Sequence, residues 1–166
     1  LLIGSFGSAA TSMASAVAER NRRVMVNATG AAPEIHKRIY RYLFQVPPPS
    51  DRAAAGVLPL AAKAGLKTAV VIARDEGAAQ PLVEQLARDA GKSGVQIRPP
   101  IYYAIDHMKG LAPFAKILAA TGAEAVVTPA SVHDVAELLR GFKAAGYSPK
   151  LFVSKGAVEP LLIRRV

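Results

Sequence analysis

Short runs of consecutive apolar residues alternate along this chain with longer stretches whose apolar positions recur at helical spacing. The runs Leu1-Leu2-Ile3, Val24-Met25-Val26, Thr68 to Ala73 and Ala125 to Thr128 read as strands buried on both faces, because a strand with one wet face would alternate apolar and polar residues. Tyr42 to Val46, Val95 to Tyr103 and Lys150 to Val153 read as further extended segments, the second interrupted by Pro99-Pro100. Helical spacing predicts helices over Ala9 to Ala18, Ala78 to Ala90, Leu111 to Thr121 and Val132 to Ala145. Pro81 falls in the first turn of the second helix, and Ser131 with Asp134 forms a capping box for the last. After Pro47-Pro48-Pro49, Ser50 is placed to cap a helix running to Ala64, kinked at Pro59.

Strand-helix repetition of this kind predicts an α/β fold, a doubly wound parallel sheet with helices on both faces. Ligands of such sheets bind beyond the carboxyl ends of the strands. Those ends carry Ser5 and Ser8, Asn27 to Ala31, Arg74 to Gly77, Thr128 to Ser131, and Ser154 to Gly156. The first is the most informative, because Gly4-Ser5-Phe6-Gly7-Ser8 hands a strand directly to a helix. Free N–H groups, two hydroxyls and the helix dipole then face one spot. The other reading of the same residues is a plain turn in which Ser8 only caps the helix. The triple proline forbids regular pairing and marks the best boundary, between a unit over 1–46 and a larger one over 47–160, with 161–166 as a tail.

Composition narrows the classes. The 166 residues are 51% hydrophobic, enough for a real core. Lys and Arg number 21 against 12 Asp and Glu, a formal charge of +9, which brings an anionic partner into view. The bases are spread out, the densest group being Arg20, Arg22 and Arg23 with Arg38 and Arg41 nearby, and no aromatic interleaving accompanies them. A solvated basic surface is the reading adopted, and no nucleic-acid partner is expected. Cysteine is absent, which excludes disulfides and thiol chemistry. No apolar run reaches the ~20 residues of a membrane span, so the chain is not expected to cross a bilayer itself. It opens inside a core strand without Met, so an upstream segment with a signal peptide is expected.

Candidate chemistry is sparse. His36, His107 and His133 lack metal-ligand spacing, so no metal is expected. Asp75-Glu76 could serve as catalytic carboxylates or cap a loop, and loop capping is preferred. No phosphate loop, dinucleotide fingerprint or nucleophile elbow occurs, so neither a cofactor nor an enzyme activity is expected. Tyr102-Tyr103 is read as hinge packing in preference to ligand stacking.

Three stretches, Ile3-Gly4-Ser5-Phe6-Gly7-Ser8, Met25-Val26-Asn27-Ala28-Thr29-Gly30-Ala31-Ala32-Pro33-Glu34 and Tyr42-Leu43-Phe44-Gln45, resemble the middle of the branched-chain amino-acid (leucine-binding type) solute-binding proteins of ABC transporters. Asp75, Ala112-Pro113-Phe114, Leu139-Arg140 and Gly146-Tyr147-Ser148-Pro149-Lys150-Leu151-Phe152 continue the match in order and spacing to about Pro160. The resemblance implies a two-lobed, Venus-flytrap protein of the periplasmic binding protein type I fold, about twice this length, of which this chain is a fragment. It implies a non-enzymatic function: capture of a small carboxylate-bearing solute, an amino acid or organic acid, in an interlobe cleft for an ABC permease, within a wider ligand range that includes amides. The location implied is periplasmic or extracellular, with a lipoprotein anchor as one form. A ligand-sensing domain of a regulator or receptor, and a flavodoxin-like enzyme, are the alternatives.

Carried over by position, Ser8 matches the family's serine for the ligand carboxylate, and Thr29, Gly30 and Ala31 match the loop that also holds it. The family's threonine falls at Ala31, while Thr29 supplies a hydroxyl earlier in the loop. Ala79 and Ser131 stand where aromatic residues are common, implying a wider and more polar pocket. Lys155 stands at the acidic position that pairs with a ligand ammonium. A cation facing the cleft would repel an ammonium and attract a carboxylate; the other reading points Lys155 into water.

Overall fold

A computed structural model of the chain describes residues 1–52, 54–75, 79–104, 110–154, 160 and 162–163. Its strands fall into two separate sheets, and the chain divides into two compact units, Leu1–Ala54 and Ala55–Val166. The triple proline lies within the smaller unit, where the N–H of Ser50 donates to the Ala31 carbonyl at 2.7 Å and ties the following residues back.

The smaller unit runs β1 (Leu2–Ile3), α1 (Ser8–Arg20), β2 (Met25–Asn27), α2 (Pro33–His36) and β3 (Leu43–Gln45). Its three strands pair in parallel in the order β1-β2-β3. Met25 and Asn27 point to the face that α1 packs on and are fully buried. The opposite face presents Ile3, Val26 and Phe44 in one register row. There the expectation of a strand buried on both faces fails, for Ile3 is 74% exposed and Phe44 56%. Apolar composition sets which residues favour burial but not which face is covered, and Val26 in the middle of that row is half-buried.

The larger unit runs α3 (Val57–Lys63), β4 (Thr68–Arg74), α4 (Ala79–Ser93), β5 (Gln96–Ile97), β6 (Ile101–Tyr103), α5 (Ala112–Ala120), β7 (Ala125–Thr128), α6 (Val132–Ala145) and β8 (Leu151–Ser154). All pairings are parallel, in the order β5-β4-β7-β8 with β6 also on β4. β5 and β6 are two halves of one edge strand: Ala69 faces Ile97 but Ile72 faces Ile101, so three steps on β4 meet four on its partner. Arg98-Pro99-Pro100 absorbs the extra residue, as expected of prolines that cannot donate to a ladder. β4 is buried from Ala69 to Ala73 and β7 along its length, which is why both read as unbroken apolar runs. Val70, Ile72, Leu118, Val126 and Leu138 centre one core cluster under α5 and α6. The two helices come close at Gly141, where a Cβ would stand 3.0 Å from the Ala112 backbone.

Three local expectations are corrected. No helix starts at Ser50; Pro49 to Arg52 form a turn, and α3 begins after Gly56. Pro59 therefore sits in the first turn of α3, where no N–H is needed, and produces no kink. Ser8 is the first residue of α1, while Gly7, at φ 79°, takes the cap position without a side-chain bond. Tyr103 packs in the core of the larger unit, its ring 5.9 Å from Phe114, while Tyr102 beside it is 41% exposed.

Candidate functional site

In the smaller unit the β1–α1 turn and the loop after β2 meet at the carboxyl edge of the sheet. Thr29 joins them: its hydroxyl donates to the Ser5 carbonyl at 2.8 Å and accepts from the Gly7 N–H at 3.0 Å. Thr11, fully buried on α1, donates to the carbonyls of Ser5 and Gly7. Ser8 accepts from the Ala32 N–H at 3.1 Å, an arrangement that keeps its O–H as a donor. The first-turn N–H groups of α1 point past the same turn, as in any helix whose first hydrogen bond starts at its fourth residue.

The loop itself is shaped by Asn27. This side chain is completely buried at the end of β2. Its Oδ1 accepts from the N–H of Thr29 at 3.2 Å and of Gly30 at 2.7 Å, and its Nδ2 donates to the Gly30 carbonyl and to Gln45 Oε1. The backbone groups of Gly30 are thus engaged within the loop. Gly30 also abuts Thr11, since a Cβ there would lie 2.7 Å from the Thr11 Cβ. The Ala31 carbonyl is taken by Ser50. Ser8 is the candidate whose described bonds leave a donor for a ligand, whereas Thr29 and Gly30 brace the loop. Thr11 was not singled out from the sequence, and Asn27 only as one of the residues at the strand ends, without a role. The available signal was a polar residue closing an apolar run, Met25-Val26-Asn27, where a buried amide must find partners.

In the larger unit, Ala79 is the first residue of α4 and Ser131 is the exposed N-cap of α6, accepting from the Asp134 N–H at 3.4 Å. The capping box is not reciprocal. The Asp134 carboxylate turns instead to Arg74 and Tyr103: Oδ2 accepts from Arg74 Nε at 3.0 Å and Nη2 at 2.8 Å, and from the Tyr103 hydroxyl at 3.1 Å. Burial and then the Asp134 charge push the Tyr103 hydroxyl well above the ordinary tyrosine value. Burial works against the Arg74 charge, yet the Asp134 hydrogen bond and charge outweigh it and its pKa rises. Asp75 is exposed, its N–H on the Tyr103 carbonyl; Glu76, His107 and Lys155 lie outside the described residues. Among the described residues no group of three His, Asp or Glu is placed to hold a metal ion, and no helix is long and apolar enough to cross a membrane.

A family model described as periplasmic binding protein matches residues 1–164. An extracellular ligand-binding receptor from Rhodopseudomonas palustris HaA2 superposes with a TM-score of 0.83 at 18% identity, covering 99% of this chain and 46% of that one. A solute-binding protein of an ABC transporter from R. palustris, solved in complex with benzoate, gives 0.85 at 15% identity, covering 99% and 46%. A leucine-binding protein from Thermotoga maritima MSB8 gives 0.82 at 18% identity, covering 98% and 46%. This chain therefore spans less than half the length of these proteins, and at such identities the likeness is one of fold. No curated protein matches it.

Proposed function

The chain belongs to the periplasmic binding protein family, and from that premise we propose that it forms part of the solute-binding component of an ABC importer that captures a small carboxylate-bearing solute, an amino acid or an organic acid. The solute is held and released unchanged, in the periplasm or outside the cell, and passed to an ABC permease. The observation that carries this reading is the β1–α1 turn, where Ser8 keeps a hydroxyl donor beside the start of α1 at the carboxyl edge of the sheet. A carboxylate suits that spot because helix-start N–H groups and the dipole favour negative charge. Thr29 supports it by fixing the turn, and the loop over Thr29, Gly30 and Ala31 forms the neighbouring wall. Benzoate, held by one of the similar solute-binding proteins, and leucine, for which another is named, share a carboxylate and differ elsewhere. Ala79, Ser131 and Lys155 complete the proposed set from the larger unit, Lys155 by its place in the sequence.

The test is a titration of the full-length protein with benzoate, leucine and their amides. Binding of a carboxylate, weakened by roughly 1 to 3 kcal/mol in Ser8→Ala, is the expected result, with a loss of folding stability no larger than that of the one bond from the Ala32 N–H. Binding confined to the amides, or indifferent to Ser8→Ala, overturns it. If Lys155 serves the site, Lys155→Glu shifts preference from acids without an ammonium toward α-amino acids; an unaltered preference removes that residue.

A further inference from the structure

The smaller unit carries most of its unmatched charge at the amino edge of its sheet, away from the turn that holds Ser8. Two stretches meet there: the end of α1 with residues 21–24 leading to β2, and residues 37–42 between α2 and β3. Glu19, in the last turn of α1, joins them, because its Oε1 accepts from the Arg41 N–H at 3.1 Å and its Oε2 from the Tyr42 N–H at 2.9 Å. The Tyr42 carbonyl in turn accepts from the Met25 N–H at 2.8 Å. Five of the unit's seven basic residues, Arg20, Arg22, Arg23, Lys37 and Arg41, are exposed on these two stretches. Among the described residues none of the five has a carboxylate within ion-pair distance, and the nearby acid, Glu19, is engaged by backbone N–H groups.

Apolar groups stand among these charges. Ile39, in the middle of 37–42, is completely exposed, and Val24, next to Arg23, is 38% exposed. Tyr40 and Tyr42 flank Arg41, so the absence of aromatic neighbours expected from the spread of bases along the chain does not hold here. Arg38 differs from the other bases: its guanidinium bonds to Ser12 and Ser15 on α1 and lies 5.5 Å over the Tyr40 ring. It braces the 37–42 stretch against α1, and the braced stretch holds Ile39 out in water. Alone, each feature is ordinary. Together, cations around an aliphatic side chain match a surface that is anionic outside and hydrocarbon beneath. A nucleic acid would ask for an open aromatic face to stack on, and a face of Tyr40 is taken by Arg38.

We propose that the amino edge of the smaller sheet docks on an anionic lipid surface, its exposed cations meeting the phosphate headgroups and Ile39 entering the boundary between headgroups and acyl chains. The contact is reversible, since a few charges and one aliphatic side chain hold far less tightly than a membrane-spanning segment. Because this edge is opposite the Ser8 turn, docking does not cover that turn, and the proposal stands whatever solute the protein carries.

The experiment sediments the full-length, unacylated polypeptide with vesicles of equal parts phosphatidylglycerol and phosphatidylcholine, and with vesicles of phosphatidylcholine alone. At about 0.05 M salt the unaltered protein is expected to bind the anionic vesicles at least about tenfold more tightly, and about 0.5 M salt should remove most of that difference. Arg20→Gln, Arg22→Gln and Arg23→Gln together should lower binding by about tenfold or more, whereas Arg20→Lys, Arg22→Lys and Arg23→Lys together keep the charge and should keep most of the binding. Ile39→Ser should lower it by about fivefold, in a ratio that salt leaves unchanged, because apolar burial is not screened. Lys63→Gln, Lys92→Gln and Lys143→Gln, at exposed positions of the larger unit, change the net charge equally and should have little effect. Equal losses from the two triple glutamine variants, or equal binding to both kinds of vesicle, overturn the assignment. Undiminished binding by Ile39→Ser overturns the choice of lipid, and a single-stranded oligonucleotide bound more tightly than the vesicles, and lost with the same arginines, names nucleic acid in its place.

Discussion

The two sheets use the same strand-helix repeat and are stabilised in different ways. In the larger unit the central strands are closed on both faces, and Val70, Val126, Leu118 and Leu138 have no exposure. In the smaller unit the strands are two or three residues long, one face carries Ile3 and Phe44 in the open, and the large buried apolar side chains are Met25 and Ile35. What fills its interior instead is polar: Thr11, Ser15 and Asn27 are fully buried, and Thr11 and Asn27 knit two loops together. The lesson is that apolar area sustains the larger unit, whereas satisfied hydrogen bonds position the smaller unit's site. The two should respond oppositely to apolar and polar substitutions.

The largest effect tests the apolar side. Leu118→Ala and Leu138→Ala, both completely buried, should each cost about 2 to 5 kcal/mol in denaturant unfolding. Phe44→Ala, although it removes a larger side chain, should cost no more than about 1 kcal/mol because more than half of that residue is already in water. Comparable losses at Phe44 and Leu118 would break the comparison and mean that the bare row is covered in solution.

Next comes the polar side. Asn27→Ala removes the acceptor of two backbone N–H groups, that of Gly30 buried, and the donor to the Gly30 carbonyl, so about 1 to 3 kcal/mol should be lost together with the geometry of the 28–31 loop. Ligand affinity in the full-length protein should fall with it. Asn27→Asp keeps the Oδ1 acceptor but sets a buried carboxylate oxygen against the Gly30 carbonyl and Gln45 Oε1, so it should be at least as damaging at neutral pH; a clearly milder loss would shift the weight onto the two N–H groups that Oδ1 receives. Gly30→Ala should cost a further comparable amount, about 1 to 3 kcal/mol, because its Cβ would collide with Thr11. Thr11→Gly in the same chain should recover part of that loss, as measured by thermal unfolding, and no recovery would place the strain elsewhere.

How much of this was legible in the sequence follows the same division. β7 over Ala125–Thr128 and α6 over Val132–Ala145 were readable to the residue, because a strand buried on both faces and an amphipathic helix ending at Gly146 leave unambiguous patterns. The break in the edge strand was announced by Pro99-Pro100. The start of α3 was not, since a proline in a first turn and one in a helix interior look alike until the cap is known, and the cap is Gly56. The turn at Ser8 was visible as a candidate, while the bracing by Thr29, Asn27 and Thr11 depends on contacts between separate loops. Arg74 and Asp134 are 60 residues apart, and the one local signal was a charge closing an otherwise apolar strand. Such a charge demands a partner without saying which.

The smallest effect concerns the opposite edge of the larger sheet, where the loop before β7 is tied to its neighbours by charge. Glu124 accepts from Lys150 Nζ at 2.7 Å and from the Lys67 N–H at 2.6 Å, joining β7 to the residues that precede β8 and β4. The Lys150 bond first, and the Lys67 N–H second, hold its carboxyl below the ordinary glutamate value. A carboxyl lowered on folding stabilises the native state above its unfolded pKa, and the contribution is lost as pH falls through the lowered folded value. The stability gap between the protein and Glu124→Gln should therefore be constant at neutral pH, begin to close near the ordinary glutamate range of about 4.3, and vanish below the folded value. Because the pair lies at the surface, about 1 M salt should shrink the neutral-pH gap. Unfolding midpoints of both proteins across that acid range decide the matter: a gap that persists below it would assign the role of Glu124 to shape and backbone acceptance in place of charge.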